Sequence, residues 1–205
     1  MSGHPVPCIR RSQPVDGPSL VALWERSIRA THHFLSEADI AYYRPLVAQV
    51  LAGDSLEFWV LTGNANVPIG FLGLSAHGIE ALFLEPAHRR RGWGRRLVAH
   101  AQQLRGGALT VDVNEENDAA RRFYEALGFA VVGRSSHDDT GRPHPVLHLR
   151  RDARHGDSGH RRAAASTGGS GAIHENPRQQ LARQSCDRVP CGTGNIRAAS
   201  GDTGL

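Results

Sequence analysis

Residues 88–101 read HRRRGWGRRLVAHA, five arginines set around two glycines that run straight into an apolar helical pattern. A basic patch accounts for the arginines and a tight turn for the glycines, but neither accounts for both at this spacing. The segment follows an apolar strand-like run that ends at Leu84–Glu85 and is stopped by Pro86. A loop placed there, entering a helix, presents unpaired backbone N–H groups and the positive end of a helix dipole. Glycines let a ligand approach the backbone closely, and arginines neutralise its charge. That is the physics of a phosphate cradle, and the expected ligand carries a pyrophosphate.

Two nucleotide-binding classes drop out on their own motifs. A Walker loop needs Gly-Lys-Ser/Thr, and this chain of 205 residues contains no lysine. A dinucleotide fingerprint needs a third glycine, and Leu97 stands at that place. What remains is Arg89-x-x-Gly92-x-Gly94.

The elements that must position this loop can be read from periodicity. VPCIRRS is a short first strand; GPSLVALWERSIRATHHFL sets Leu20, Leu23, Trp24 and Ile28 on one helical face. A second helix starts at Ser36 as N-cap and ends at Gly53, with a break or kink expected at Pro45. LEFWVLTG and VPIGFLGLSA form a hairpin around NAN, and GIEALFLEP is a further strand. After the loop come a helix over about residues 92–104, the strand ALTVDVN, and a helix capped by Asn117 and closed by Gly128. A last hairpin turns around Asp-Thr-Gly, where Asp138 and Asp139 read as turn residues. The order βααβββαβαββ implies an α/β sandwich with a mixed sheet.

Composition narrows the class. Residues 1–150 carry 16 Arg against 15 Asp and Glu, and the remainder 8 against 5, so the basicity lies mostly in the tail. With no aromatic stacking residue in that tail, nucleic acid is not an expected partner. No apolar run is long enough to span a membrane, and the opening MSGHPVPCIRRS lacks the apolar core of a secretory leader; the expected compartment is the cytoplasm. Cys8, Cys186 and Cys191 make no disulfide framework, and with no second pair after Cys191 no metal site is expected. The reading is one domain over residues 1–150 and a basic, weakly hydrophobic tail over 151–205 that is expected to be disordered.

The string ALFLEPAHRRRGWGRRLV, followed by NEENDAARRFYEALGF with Asn117 seven residues before Tyr124, resembles the Gcn5-related N-acetyltransferases (GNAT). ATHHFLS and RSSHDDTGRPHPVLHL resemble the family's YjaB-like bacterial branch, described as peptidyl-lysine acetyltransferases. The resemblance covers about residues 6–150. It implies a mostly antiparallel sheet of six to seven strands flanked by about four helices, with acetyl-coenzyme A held in a splayed strand pair. The activity it implies is transfer of an acetyl group from the thioester to a primary amine by direct attack. Backbone groups of Leu82, Phe83 and Leu84 would hold the pantetheine arm, and Arg89, Arg90, Arg91, Gly92, Trp93, Gly94 and Arg95 the pyrophosphate. Asn117 matches the family position that bonds the cofactor arm, and Tyr124 the general acid that protonates the leaving sulfur. Asp112 and Glu80 are the carboxylate candidates for the base, and His32 and His33 fall where the acceptor pocket is usually shaped. The acceptor is expected to be a protein lysine or N-terminus, with a small amine as the alternative and a non-catalytic acyl-coenzyme A sensor as a reading from another class. A monomer or homodimer is expected.

Overall fold

The computed structural model describes residues 7–153; the expectations for the remaining tail, with Cys186 and Cys191, lie outside them. The chain begins with β1 (Cys8–Arg11), α1 (Gly17–Arg29) and α2 (Glu37–Ala52). A meander of β2 (Glu57–Thr62), β3 (Pro68–Leu74) and β4 (Gly78–Leu84) follows. α3 (Trp93–Arg105), β5 (Leu109–Asn114) and α4 (Asp118–Glu125) then lead to the hairpin of β6 (Ala130–Ser135) and β7 (Val146–Arg151). One seven-stranded sheet results, in the order β1-β2-β3-β4-β5-β7-β6, antiparallel throughout except between β4 and β5. This is the mixed, mostly antiparallel sheet with four helices that the sequence implies.

Each face of the sheet is covered by one helix pair. Leu20, Leu23, Trp24 and Ile28 of α1 are at most 1% exposed, and pack with Tyr43 and Val47 of α2 against Phe58, Phe71 and Phe83. On the other face Leu97, Val98 and Ala101 of α3 and Tyr124 of α4 pack against Val111, Val113 and Leu149. Ser36 caps α2 in a reciprocal box with Asp39, as its position before an apolar run suggests. Pro45 does not end the helix: α2 continues from Glu37 to Ala52. One backbone bond is lost at the proline, and the buried contacts of Ile40, Tyr43, Val47 and Val50 hold the helix through it. Among the described residues no helix is long and apolar enough to cross a membrane.

The parallel pair is the exception on which the site depends. β4 and β5 share two rungs, Gly78 with Thr110 and Ile79 with Val111, and then part. The parting coincides with a bulge in β4, because Leu74 faces Ile79 while Gly73 faces Ala81, leaving Glu80 as the surplus residue. Ile79 packs under α3 and Ala81 under α1, which residues two apart in a regular strand do not do. A bulge bends its strand, and here it takes β4 away from β5.

The long β6–β7 connection is held down on α2. The buried Asp138 accepts Tyr43 Oη at 2.6 Å, Thr140 N–H at 2.9 Å and Arg142 N–H at 2.9 Å. Arg142 also pairs with Asp39 and lies 4.3 Å above the Tyr42 ring. Burial, then the Asp138 carboxylate, push the Tyr43 phenol upward, so it stays a donor. Tyr43→Phe leaves one carboxylate oxygen of Asp138 without that donor and is expected to cost about 1.5–3 kcal/mol in chemical denaturation. An unchanged midpoint would show that the loop docks without this bond.

Candidate active site

Past the last β4–β5 rung a cleft of about 530 Å³ opens, lined by Leu82, Phe83 and Leu84 of β4 and by Arg89, Arg90, Gly92, Gly94 and Arg95 around the start of α3. Ser27 of α1, with Thr31 and His32 just after it, forms one further wall, and Asn117 with Ala119, Ala120, Arg122 and Phe123 of α4 another. No acidic side chain lines it.

The loop into α3 is shaped by two left-handed residues, Arg90 at φ 59° and Gly92 at φ 82°. Gly92 is the N-cap of α3, no side chain caps the helix, and a Cβ on Gly92 would meet nothing within 4 Å. The first-turn N–H groups therefore have no side-chain acceptor. Gly94 does a different job: a Cβ there would come within 3.1 Å of Phe123 Cζ, so its bareness lets α3 approach α4. The arginines divide sharply. Among the described residues Arg89, Arg90, Arg91 and Arg95 have no ion-pair or hydrogen-bond partner. Every other described arginine is bound to a carboxylate or a carbonyl, as Arg26 is to Glu85 at 2.8 Å and Arg96 to the Pro7 carbonyl at 2.8 Å. Four free guanidinium groups beside uncapped N–H groups fit a pyrophosphate.

The backbone of β4 is sorted by strand alternation. Glu85 N–H donates to the Ile69 carbonyl at 2.9 Å, toward β3. Backbone groups alternate sides along a strand, so those of Leu84 and Leu82 face the gap and those of Phe83 face β3. Phe83 thus reaches the cleft through its ring, which also packs at 5.3 Å from Phe71. Buried N–H groups at an unpaired edge call for a partner.

The other residues singled out by sequence scatter. Asn117 lines the cleft and accepts Ala120 N–H at 3.1 Å, so it is both the N-cap of α4 and a wall. Tyr124 is fully buried between Phe123 and Phe129, and its Oη has no hydrogen-bond partner among the described residues. Burial pushes its phenol upward, so it is protonated. Asp112 follows the last rung at the fork of β4 and β5; its Oδ1 accepts His148 Nδ1–H at 2.8 Å, and His148 Nε2 meets Ser135 Oγ at 2.8 Å. Glu80 does not line the cleft; a Cβ on Gly78 would stand 2.4 Å from its Oε1, so it turns back toward the start of β4. His32 lines the cleft, whereas His33 is exposed and does not. Asp112, Tyr124, Arg91 and Trp93 lie outside the lining, Trp93 packing on the core with Arg96 5.7 Å above its ring.

Sequence reading missed Ser27 and Thr31, which follow one another at helical spacing, and Arg122 and Phe123 beside the named Tyr124. It also missed His148, which alternation in VLHLRR turns away from the buried Leu147 and Leu149. Its pairing with Asp112 appears only once β5 and β7 are set side by side.

A family model described as an acetyltransferase (GNAT) domain matches residues 54–131. A peptidyl-lysine N-acetyltransferase YjaB of Salmonella typhimurium is 45% identical over 141 residues, covering 69% of this chain and 95% of that protein. The chain belongs to the GNAT family. The Escherichia coli YjaB is 44% identical over 141 residues, 69% of this chain and 94% of its own. The solution structure of its apo form superposes with a TM-score of 0.66 at 42% identity, covering 71% of this chain and 97% of that one. The fold also matches a PaiA N-acetyltransferase from Thermoplasma acidophilum in complex with coenzyme A, at TM-score 0.58 and 17% identity, over 72% of this chain and 99% of that one. As a GNAT enzyme the chain is an acetyltransferase that uses acetyl-coenzyme A, and the cleft described here has the chemistry that ligand needs.

Gly92 and Gly106 allow a matched test, since both are left-handed, at φ 82° and 65°, with open space around the missing Cβ. Valine at either position is expected to cost about 1–3 kcal/mol of stability from backbone strain. Only Gly92→Val should abolish coenzyme A binding in calorimetry at a temperature where both variants are folded. Equal affinities would remove the loop from the binding site.

Proposed function

We propose that the chain transfers the acetyl group of acetyl-coenzyme A to the side-chain amine of a lysine in a protein. The observation that carries the cofactor half is the set of three unpartnered arginines, Arg89, Arg90 and Arg95, that line the cleft at the uncapped start of α3. The acceptor half is supported by relatives 44–45% identical that are named peptidyl-lysine N-acetyltransferases.

Bound acetyl-coenzyme A supplies an acetyl group already activated as a thioester. Arg89, Arg90 and Arg95 neutralise the pyrophosphate while N–H groups around Gly92–Gly94 direct it. Leu82 and Leu84 offer their backbone groups to the arm, and the Leu84 N–H polarises the carbonyl under attack. Asp112 is the base in this reading. His148 occupies its Oδ1, and Oδ2, which has no partner among the described residues, is left to take a proton from the incoming ammonium. Tyr124 holds the proton that the departing sulfur takes up, and its buried, partnerless hydroxyl is the sign of a partner that arrives with the ligand. Neither carboxylate lines the cleft; Asp112 is chosen over Glu80 for its open Oδ2 at the fork, whereas the Glu80 carboxylate folds back onto Gly78.

Tyr124→Phe is expected to lower turnover by about 100-fold or more with coenzyme A affinity in calorimetry nearly unchanged. Wild-type turnover in that variant would remove the phenol from the mechanism. The acceptor is tested by coenzyme A release from acetyl-coenzyme A with lysine-bearing peptides, blocked at their N-termini, beside polyamines and aminoglycosides. Turnover confined to the peptides is the expected result. Turnover on the small amines alone would reassign the acceptor.

A further inference from the structure

We propose that His32 is a positioning residue, a neutral imidazole whose Nε2 lone pair fixes the Asn117 carboxamide across the cleft from α1 to α4. The proposal rests on the reading that Asn117 helps hold the cofactor. The direction of every hydrogen bond in the chain of contacts follows from one backbone group. Asn117 Oδ1 accepts the Ala120 N–H at 3.1 Å, and a backbone N–H only donates. The amide nitrogen of Asn117 is therefore the end that meets His32 Nε2, at 3.3 Å. Because that nitrogen is itself a donor, Nε2 must present a lone pair, and the ring proton sits on Nδ1. Nδ1–H then donates to Thr31 Oγ1 at 2.7 Å, and the Thr31 hydroxyl passes its own hydrogen to the Ser27 carbonyl at 2.8 Å. The four bonds named are mutually consistent in direction.

The surroundings keep the ring there. His32 and Asn117 are 3% and 5% exposed, and the His32 ring stands edge-on to Phe34 at 5.2 Å. A proton taken up at Nε2 would set an N–H against the Asn117 amide. His32 cannot act as the base without releasing Asn117, whose oxygen caps the helix that carries Phe123 and Tyr124. The histidine next to the candidate reaction centre thus orders the cofactor side of the cleft and does not move the proton.

Two measurements test this. Nitrogen-15 NMR of the ligand-free chain, with His32 assigned through its loss in His32→Phe, should show a neutral ring protonated on Nδ1 near neutral pH. An imidazolium or a ring protonated on Nε2 would overturn the proposal. His32→Phe keeps a ring and removes the acceptor; it is expected to weaken coenzyme A binding in calorimetry about tenfold, with the KM for acetyl-coenzyme A following and that for the acceptor unchanged. His32→Gln, which can place Oε1 where Nε2 stood, should restore most of the affinity. Wild-type affinity in His32→Phe, or a folded His32→Gln no better than it, would reduce the residue to packing. A loss of kcat alone would return it to catalysis. A wild-type chain that failed to bind coenzyme A would overturn the cleft reading beneath the proposal, while the NMR result would still report on the ring.

Discussion

Two strands that pair for only two rungs and then separate are the constraint from which this active site follows. A sheet normally satisfies its backbone groups through ladders on both sides, and a buried group left without a partner carries a penalty of about 1–3 kcal/mol. β3 and β7 satisfy the outer edges of β4 and β5, but beyond Ile79 and Val111 the inner edges face each other across a gap. A ligand with an extended amide-bearing arm would complete the ladder. Each other part of the site stands at the gap's margin: the loop into α3 at one end, Asp112 at the fork, α4 along the side.

Charge is arranged with the same economy. The described chain holds most of its arginines in ion pairs, many exposed and individually worth little. Those pairs matter here as contrast, since they show that the sequence has enough carboxylates nearby to neutralise its arginines wherever that is wanted. Around the α3 start it does not. The candidate base, by comparison, is engaged on one oxygen only, and the candidate acid is fully buried, which pushes its phenol upward.

What the sequence disclosed was local. The apolar face of α1, the Ser36 cap, the turn at NAN and the glycine-arginine loop each depend on residues within a few positions of one another, and each stands where periodicity put it. At Pro45, of the two outcomes the sequence left open, the break does not occur: packing on α1 carries the helix through to Ala52. The bulge at Glu80 needs the β3–β4 register before it can be seen, and the assignment of Phe83's backbone to β3 needs the same. His148 beside Asp112, and His32 beside Asn117 at a separation of 85 residues, are products of topology. A resemblance in motif could name Asn117 and Tyr124 but not the neighbours that orient them.

The unneutralised cluster at the start of α3 also makes the enzyme's persistence depend on its surroundings. Like charges gathered on one loop repel, and the native chain bears that repulsion whenever no anion sits among them. A ligand that binds only the native form adds RT ln(1 + [L]/Kd), about 2.7 kcal/mol at a hundredfold excess over Kd. For a domain of this size that is a substantial share of the whole folding free energy. The acyl-coenzyme A pool therefore acts on this protein twice, as the supply of acetyl groups and as a chaperone-like weight on how much of the chain is folded. Without that ligand, the same arginines that recruit the substrate weigh against the fold.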